Sequence, residues 1–329
     1  MDKVIKKKDI KKKRPNYSMN TSHSSRTAAR RKKQLNKSHK LLLGLPTSGK
    51  TTFLAALWQL LFHDIPLKSH SIKLTPLPSE RHYLEEIRDR WIDCQEVYRT
   101  PEDDRQNVKL HFQRTRDKKQ LSFSLLDVSG EIFRKCWLDR RWDSEFDDYV
   151  QGTDGIILFI NPLKLIYPNT LNEVYEVFYE VFLEPNGYPF DMDSWFEGEA
   201  IPFQVKKWDA DDSPSQVKLI ELLQIVKNRC QKDCRLMIVV SAWDTIQYYN
   251  ISPLLWVARR LPLLMQYIIS NFSYINNQFT CFGISAQGAD YHNCDLQKLA
   301  QLETTERIIV AKEKNEPGSM FDVLQWICE

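Results

Sequence analysis

Apolar runs alternate with helical patterns along the chain. Three unbroken apolar runs are typical of strands buried on both faces of a sheet, and they lie at 155–161, 236–240 and 279–284. Helical patterns separate or flank these runs, and they lie at 171–182, 215–229 and 254–274. Strands that alternate with helices predict an α/β fold with a mostly parallel sheet and helices on both faces.

The region before the first of these runs also contains strands and helices. The segment at 40–43 predicts a short buried strand, and a helix is expected at 50–61 after a Gly/Pro/Ser turn. A weak strand is expected at 72–75 and a helix at 79–98. The alternating segment 108–114 and the segment 121–127 flank an Asp-Lys-Lys turn, which predicts a β-hairpin.

The amino-terminal 37 residues differ from the rest in charge and pattern. They show no apolar periodicity, and the first 40 residues hold 15 Lys or Arg and 2 Asp, a net charge of +13. The remaining residues carry a net charge of −10. We therefore expect a basic disordered tail at 1–37 and a folded domain at 38–329. The tail could contact nucleic acid or an anionic membrane, or stay solvated without a specific partner.

Composition excludes several classes of protein. No apolar run approaches the roughly 18 residues that a transmembrane helix needs, and the Lys-rich start has no secretory h-region. The seven cysteines are scattered, which argues against a disulfide framework. Cys230 and Cys234 are four apart, but ordinary thiols are favoured over a metal site because no second pair lies at zinc-site spacing. We expect a cytoplasmic protein without a transmembrane segment.

Residues 44–51, with the sequence GLPTSGKT, match the phosphate-binding pattern G-x-x-x-x-G-K-[ST] at every fixed position. A predicted strand precedes the loop and a predicted helix follows it, so backbone N–H groups and the helix N-terminus can cradle an anion. Lys50 is expected to reach the β- and γ-phosphates and to act in catalysis, and Thr51 to ligate Mg²⁺. The expected nucleotide-binding residues of this segment are Gly44, Pro46, Thr47, Ser48, Gly49, Lys50, Thr51 and Thr52.

A D-x-x-G motif, Asp127 to Gly130, closes the predicted hairpin. Asp127 is expected to bind Mg²⁺, usually through water, and the Gly130 N–H to contact the γ-phosphate. Glu131 follows directly and could align or activate the attacking water. The alternative for Glu131 is an ordinary acidic residue at a helix start.

A second switch motif would lie before that hairpin. Thr100 is our candidate to complete the Mg²⁺ shell, and Arg99 could act as an arginine finger within the same chain. Plain turn residues are the alternative for both positions.

Two loops after buried strands are expected to recognise the base. Asp244, in Ser241-Ala242-Trp243-Asp244, has the register of the aspartate that pairs with guanine N1–H and N2–H₂ in [NT]-K-x-D, with Ser241 replacing Asn or Thr and Ala242 replacing Lys. A helix N-cap is the alternative. Ser285-Ala286 matches the fifth GTPase motif, whose Ala N–H contacts guanine O6. The segment also nearly fits a hydrolase elbow, but Gln287 replaces its last glycine.

Four of five GTPase motifs thus occur in order, and the set resembles the TRAFAC clade of P-loop GTPases. KLLLGLPTSGKTTFLAALW, with LLDVSGE and VVSAWDT, resembles more narrowly the bacterial double-GTPase family, in which an aromatic-Asp form replaces Lys-x-Asp. The resemblance covers about 39–329. It implies a Ras-like fold, binding of GTP or GDP and Mg²⁺, a partner GTPase encoded nearby, and a role in bacterial conflict or antiviral systems.

The spacing between motifs predicts insertions at about 63–98 and 163–233, and the aromatic residues of the second insertion could bind a protein partner, a second GTPase or an effector. The leading hypothesis is a switch protein that hydrolyses GTP slowly. The alternatives are an ATPase or general NTPase, favoured by Ala242, and a nucleic-acid-binding protein whose nucleotide site is only structural.

Overall fold

The chain divides into two compact units, residues 1–37 and 38–329. The computed structural model describes, essentially within the second unit, residues 37–61, 72–74, 81–97, 109–114, 117–125, 137–138, 147–151, 153–168, 209–230, 233–273, 278–292 and 296–328. The predicted tail therefore lies outside the described residues, except for Lys37. Among the described residues, no helix is both long and apolar enough to cross a bilayer.

Nine strands of the described residues form one sheet in the order β2-β3-β4-β1-β5-β6-β7-β8-β9. The strands are β1 Lys37–Gly44, β2 Ile72–Leu74, β3 Lys109–Arg114, β4 Gln120–Leu125, β5 Gly155–Ile160, β6 Arg235–Ser241, β7 Phe279–Ser285, β8 Ile309–Ala311 and β9 Pro317–Gly318. The pairs β1–β5, β5–β6 and β6–β7 are parallel. The pairs β2–β3, β3–β4, β7–β8 and β8–β9 are antiparallel and extend the two edges.

Both faces of the central strands are buried, as their unbroken apolar sequences predict. Along β5, Ile156, Leu158 and Ile160 enter one core cluster, while Ile157 and Phe159 enter the other. β6 alternates in the same way between the two clusters. The predicted α/β class, with a parallel centre and helices on both faces, is confirmed.

The helices are α1 Lys50–Gln59, α2 Arg81–Ile92, α3 Asp147–Val150, α4 Ser215–Lys227, α5 Pro253–Arg260, α6 Pro262–Asn271, α7 Leu296–Gln301, α8 Thr304–Arg307 and α9 Met320–Cys328. Residues of α4, α5 and α6 pack in the first cluster, and those of α1, α2 and α9 in the second. From Phe53 to its end α1 is buried all round, because α2 covers the side away from the sheet. α4 lies inside the predicted insertion at about 163–233 and still contributes to the core.

One helix prediction is wrong in detail. The pattern at 254–274 predicts a single helix, but two helices meet at Leu261, which has φ −131° and ψ 59°. Pro262 follows Leu261, lacks a backbone N–H and disfavours helical geometry at the residue before it. The break therefore lies where the proline requires it. The predicted helix at 171–182 lies outside the described residues.

A buried ion pair lies near the amino ends of the central strands. The Lys40 ammonium is 3.1 Å from an Asp154 carboxylate oxygen, and the Lys40 side chain is only 2% exposed. The same oxygen accepts a hydrogen bond from the His39 N–H at 3.1 Å. Burial lowers the pKa of Lys40 and that of His39, while Asp154 opposes both shifts. This ion pair lies at the amino ends of the central strands, whereas the predicted nucleotide site lies at their carboxyl ends. We call these two sides of the sheet the amino edge and the carboxyl edge.

Candidate nucleotide-binding site

Four loops leave the carboxyl ends of neighbouring parallel strands. Gly44 at the end of β1 pairs with Phe159 of β5, Ile160 pairs with Val240 of β6, and Ser241 pairs with Ile284 of β7. The loop at 44–51 and the loops after Ile160, Ser241 and Ser285 therefore lie in that order at the carboxyl ends of the strands. The structure brings together the predicted phosphate loop and both predicted base loops.

The loop at 44–51 has the backbone of an anion cradle. Gly49 has φ 90° and Thr47 has φ 60°, so both are left-handed. Among the described residues, no acceptor is bonded to the amides of Thr47, Gly49 or Thr51. The positive end of the α1 dipole faces the loop, and the first turn carries no acidic residue that would offset it. Such an arrangement favours a bound anion.

Lys50 is held inside this loop. Its side chain nitrogen donates to the carbonyl oxygens of Gly44 at 2.9 Å and Leu45 at 3.1 Å, and to Ser48 Oγ at 3.3 Å. Lys50 is only 4% exposed. Thr51 and Thr52 lie half-buried in the first turn of α1, and Thr47 at the tip of the loop is exposed. An ammonium in this position can exchange loop oxygens for phosphate oxygens with a small movement.

Two polar side chains support the loop from the neighbouring strands. Asn161, directly after β5, donates from Nδ2 to the Thr47 carbonyl at 2.9 Å, and its Oδ1 accepts from the Leu163 N–H at 3.0 Å. Ser241 Oγ donates to the Ile160 carbonyl at 3.2 Å. A Cβ added at Gly49 would lie 3.0 Å from the Ser241 Cβ, so β6 touches the phosphate loop directly. Ser241, a predicted nucleotide-binding residue, thus lies against the loop with its hydroxyl bonded to β5.

Asn161 is a site residue that the motifs did not predict. The available signal was an Asn-Pro dipeptide at the end of the apolar run at 155–161, which marks a turn at the carboxyl edge of a strand.

Asp244 is presented on a short 3₁₀ turn, Trp243–Thr245. Ala242 begins the turn with φ 47°, and its carbonyl accepts from Thr245 Oγ1 at 2.7 Å. Asp244 is therefore not the N-cap residue, and among the described residues no donor is bonded to its carboxylate. The side chain is half-exposed. Its carboxylate is available to accept hydrogen bonds from a ligand.

Trp243 anchors that turn, a role that the motif alone did not predict. The side chain is 1% exposed and lies on β7, where a Cβ at Gly283 would come within 2.2 Å of the indole ring. Only glycine fits at position 283 with Trp243 in this place. The Trp243 anchor fixes the turn that carries Asp244 relative to β7 and the loop that follows it.

The loop after β7 is closed by its own side chains. Ser285 Oγ accepts from the Gly288 N–H at 3.0 Å, and Ser285 itself is 1% exposed. Its hydroxyl is thus part of a tight turn. The Ala286 carbonyl accepts from the Trp91 indole N–H at 2.8 Å. The predicted contact residues Ser285 and Ala286 lie beside the Asp244 turn.

The remaining predicted site residues lie outside the described residues. They are Arg99, Thr100, Asp127, Gly130 and Glu131. Of the predicted Mg²⁺ ligands, the structure describes Thr51.

A phosphate-binding loop between a parallel strand and a buried helix, with two polar loops at the ends of β6 and β7, defines a P-loop nucleotide-binding protein with an α/β fold. The sequence model of the family Double-GTPase 1 matches residues 41–327. The chain belongs to that family, and the resemblance drawn from its motifs is confirmed.

Among solved structures, the GTPase-like domain of Ski7 from S. cerevisiae, bound to GTP, is similar at 16% identity with a TM-score of 0.37. The match covers 88% of this chain and 49% of that chain, so this chain spans about half the length of that one. A search of curated proteins gives no match.

Proposed function

We propose that the protein binds GTP and GDP at the carboxyl edge of the sheet, requires Mg²⁺, and hydrolyses GTP slowly as a molecular switch. One observation carries this proposal: the buried Lys50 in its cradle and the half-exposed Asp244 belong to loops at the same edge of one sheet. The first fits phosphates and the second fits the N–H groups of a guanine.

The phosphate end is supported by geometry and charge together. The amides of Thr47, Gly49 and Thr51 have no acceptor among the described residues, and the Lys50 ammonium lies among loop oxygens. Charge-assisted hydrogen bonds to a phosphate are about twice as strong as neutral ones. A nucleotide would thus satisfy the amides and neutralise the lysine.

The base end is supported by Asp244 and by its neighbours. A carboxylate accepts from both N1–H and N2–H₂ of guanine, whereas adenine has no N1–H and carries an amine at C6. In Ala242 the chain lacks the lysine whose stem packs on the base in other GTPases. We infer that the Trp243 anchor on Gly283 fixes the turn in place of that packing.

Metal binding and hydrolysis would use residues on both sides of the phosphates. Thr51, Thr100 and Asp127 would hold Mg²⁺, which neutralises charge on the β- and γ-phosphates. Glu131 would align the attacking water, Gly130 would sense the γ-phosphate, and Arg99 would stabilise the transition-state charge. The half-buried Thr51 hydroxyl in the first turn of α1 fits this ligand set.

The family resemblance also suggests a setting. We propose that a second GTPase or an effector protein reads the nucleotide state in the cytoplasm, as part of a bacterial antiviral or conflict system. The basic tail at 1–37 would add a contact with nucleic acid or an anionic membrane.

A competition titration tests the binding proposal. Purified protein is titrated with labelled GTP, with and without Mg²⁺, and with GDP, ATP and XTP as competitors. We expect Mg²⁺-dependent binding that GDP displaces and ATP does not. Equal displacement by ATP would reclassify the protein as an ATPase or general NTPase and remove Asp244 as the base-reading residue.

Single-turnover hydrolysis tests the catalytic role of Glu131. Glu131→Ala should slow the hydrolysis of bound GTP by about a hundredfold, the lower end of the range for acid–base groups, and leave GTP affinity nearly unchanged. An unchanged hydrolysis rate would make Glu131 an ordinary acidic residue of the segment after the D-x-x-G motif.

A further inference from the structure

α2 is connected to the loop at 285–288 by a buried hydrogen bond. Trp91, in the last turn of α2, is 0% exposed, and its indole N–H donates to the Ala286 carbonyl at 2.8 Å. The two residues are 195 positions apart. A buried carbonyl oxygen without a hydrogen-bond donor costs free energy. This bond therefore satisfies the Ala286 carbonyl and also fixes the loop.

Arg307 holds Trp91 in position. The guanidinium donates to the Trp91 carbonyl at 2.7 Å and the Ile92 carbonyl at 3.1 Å, and lies 4.4 Å from the centre of the Trp91 ring. It also donates to the Tyr291 hydroxyl at 3.1 Å. Arg307 is 2% exposed, and its charge lies at the carboxyl end of α2, where the helix dipole favours a cation.

The backbone of Arg307 lies in close contact with the same loop. Gly288 has φ 89°, and a Cβ there would come within 2.5 Å of the Arg307 carbonyl oxygen. Gly288 in turn donates its N–H to Ser285 Oγ, which closes the turn. The loop at 285–288 is therefore held by its own turn, by Arg307 and by Trp91.

We propose that Trp91, supported by Arg307, is a positioning residue for base recognition, which orients Ala286 so that its N–H meets the 6-oxo group of the base. The carbonyl and the N–H of Ala286 flank one Cα, so the bond from Trp91 restricts the direction of the N–H. This proposal rests on the proposed function, because it takes the base to lie against Ala286. Trp91 lies in the segment at about 63–98 that the motif spacing predicts to be an insertion, and this role would explain its presence.

The substitution Trp91→Phe tests the proposal. It removes the indole N–H and keeps an aromatic face for Arg307. GTP and ITP share the 6-oxo group, so we expect both affinities to fall by about threefold to tenfold, the range for one lost hydrogen bond, with the GTP/ITP ratio unchanged. Asp244→Ala should instead bring the GTP/ITP ratio towards one, because ITP lacks the 2-amino group that the carboxylate binds.

Trp326→Phe is the matched control. It makes the same change from an indole to a phenyl ring at the amino edge of the sheet, where Trp326 packs against Lys40 and Arg235. We expect GTP and ITP affinities within about twofold of wild type, which is below the effect of one hydrogen bond. Equal losses in Trp91→Phe and Trp326→Phe would assign the effect to general destabilisation and overturn the proposal.

Amide hydrogen exchange separates this proposal from the proposed function. In nucleotide-free protein, the amides at 285–289 should exchange faster in Trp91→Phe than in wild type or Trp326→Phe. Failure of the wild-type protein to bind GTP would overturn the proposed function and, with it, the base-recognition role of Trp91, even where exchange shows that Trp91 orders the loop. GTP binding with unchanged affinity and exchange in Trp91→Phe would overturn the role of Trp91 alone.

Discussion

Two buried lysines lie on opposite edges of the sheet and differ in what surrounds them. Lys40, in the regular backbone of β1, forms an ion pair with Asp154 at 3.1 Å. Lys50, at the start of α1, donates to carbonyl and hydroxyl oxygens of a loop that contains left-handed Thr47 and Gly49. A carboxylate of the protein neutralises Lys40, whereas Lys50 lies in a loop whose Thr47, Gly49 and Thr51 amides have no acceptor among the described residues. We infer that the amino edge stabilises the fold and the carboxyl edge binds the ligand.

The largest effect is expected for Lys50→Ala. Removal of the ammonium should lower GTP affinity by at least about a hundredfold, because charge-assisted contacts to the β- and γ-phosphates disappear. The measurement is a titration with labelled GTP, accompanied by urea unfolding to establish that the variant is folded. Unchanged affinity in a folded variant would remove the loop at 44–51 from the site.

Lys40→Met should lower the stability of the fold and leave GTP affinity nearly unchanged, the reverse of what is expected for Lys50→Ala. Met keeps the aliphatic stem but leaves the Asp154 carboxylate without its cation, so the free energy of unfolding should fall by about 2–3 kcal/mol, somewhat less than for a fully buried pair because Asp154 is 24% exposed. GTP affinity should stay within about twofold, less than the effect of losing one hydrogen bond.

The double variant Lys40→Met/Asp154→Asn supplies the control for that experiment. It removes both charges and keeps the oxygen that accepts from the His39 N–H. Most of the lost stability should return, because the unpaired carboxylate is gone. A loss of GTP affinity in Lys40→Met would contradict the division between the two edges.

At both edges the sequence predicts some features and not others. The strands at 155–160, 235–241 and 279–285 and the loop at 44–51 follow from local signals, namely unbroken apolar runs and a contiguous motif. The Trp243–Gly283 contact and the Trp91–Ala286 bond join residues far apart in the chain. Periodicity carries no information about such pairs, so they appear only in the folded structure.

The Lys40–Asp154 ion pair at the amino edge is likewise not predicted by the local sequence. In the sequence, Lys40 is a polar residue that precedes an apolar run, and no neighbouring residue indicates that its partner is Asp154. The pairing follows from the parallel register of β1 and β5, in which Lys40 lies opposite Gly155. The break before Pro262, in contrast, carries a local signal in the proline itself.

Asp244→Asn sharpens the comparison within the carboxyl edge. The amide can accept one hydrogen bond but repels the second guanine donor, so GTP affinity should fall by about tenfold to a hundredfold, the range for charge-assisted bonds. XTP, whose base carries an oxygen at C2, should gain affinity relative to GTP. The measurement is a competition titration with both nucleotides. A GTP/XTP ratio equal to that of wild type would show that Asp244 does not contact the base.

The smallest expected effect is a pH dependence at the amino edge. Burial lowers the pKa of His39 in the folded chain, with Asp154 opposing and Lys109 and His111 adding to the shift. Between its folded and unfolded pKa values the unfolded chain binds the extra proton, so this histidine's contribution to stability falls as pH falls through the ordinary histidine value. Urea unfolding at about pH 7.5 and about pH 5.5, on either side of that value, measures the loss.

His39→Gln should lose less stability over the same interval, while GTP affinity at the higher pH stays that of wild type. An identical loss in His39→Gln would assign the pH dependence to other groups, and a changed GTP affinity would show that the amino edge acts on the ligand site.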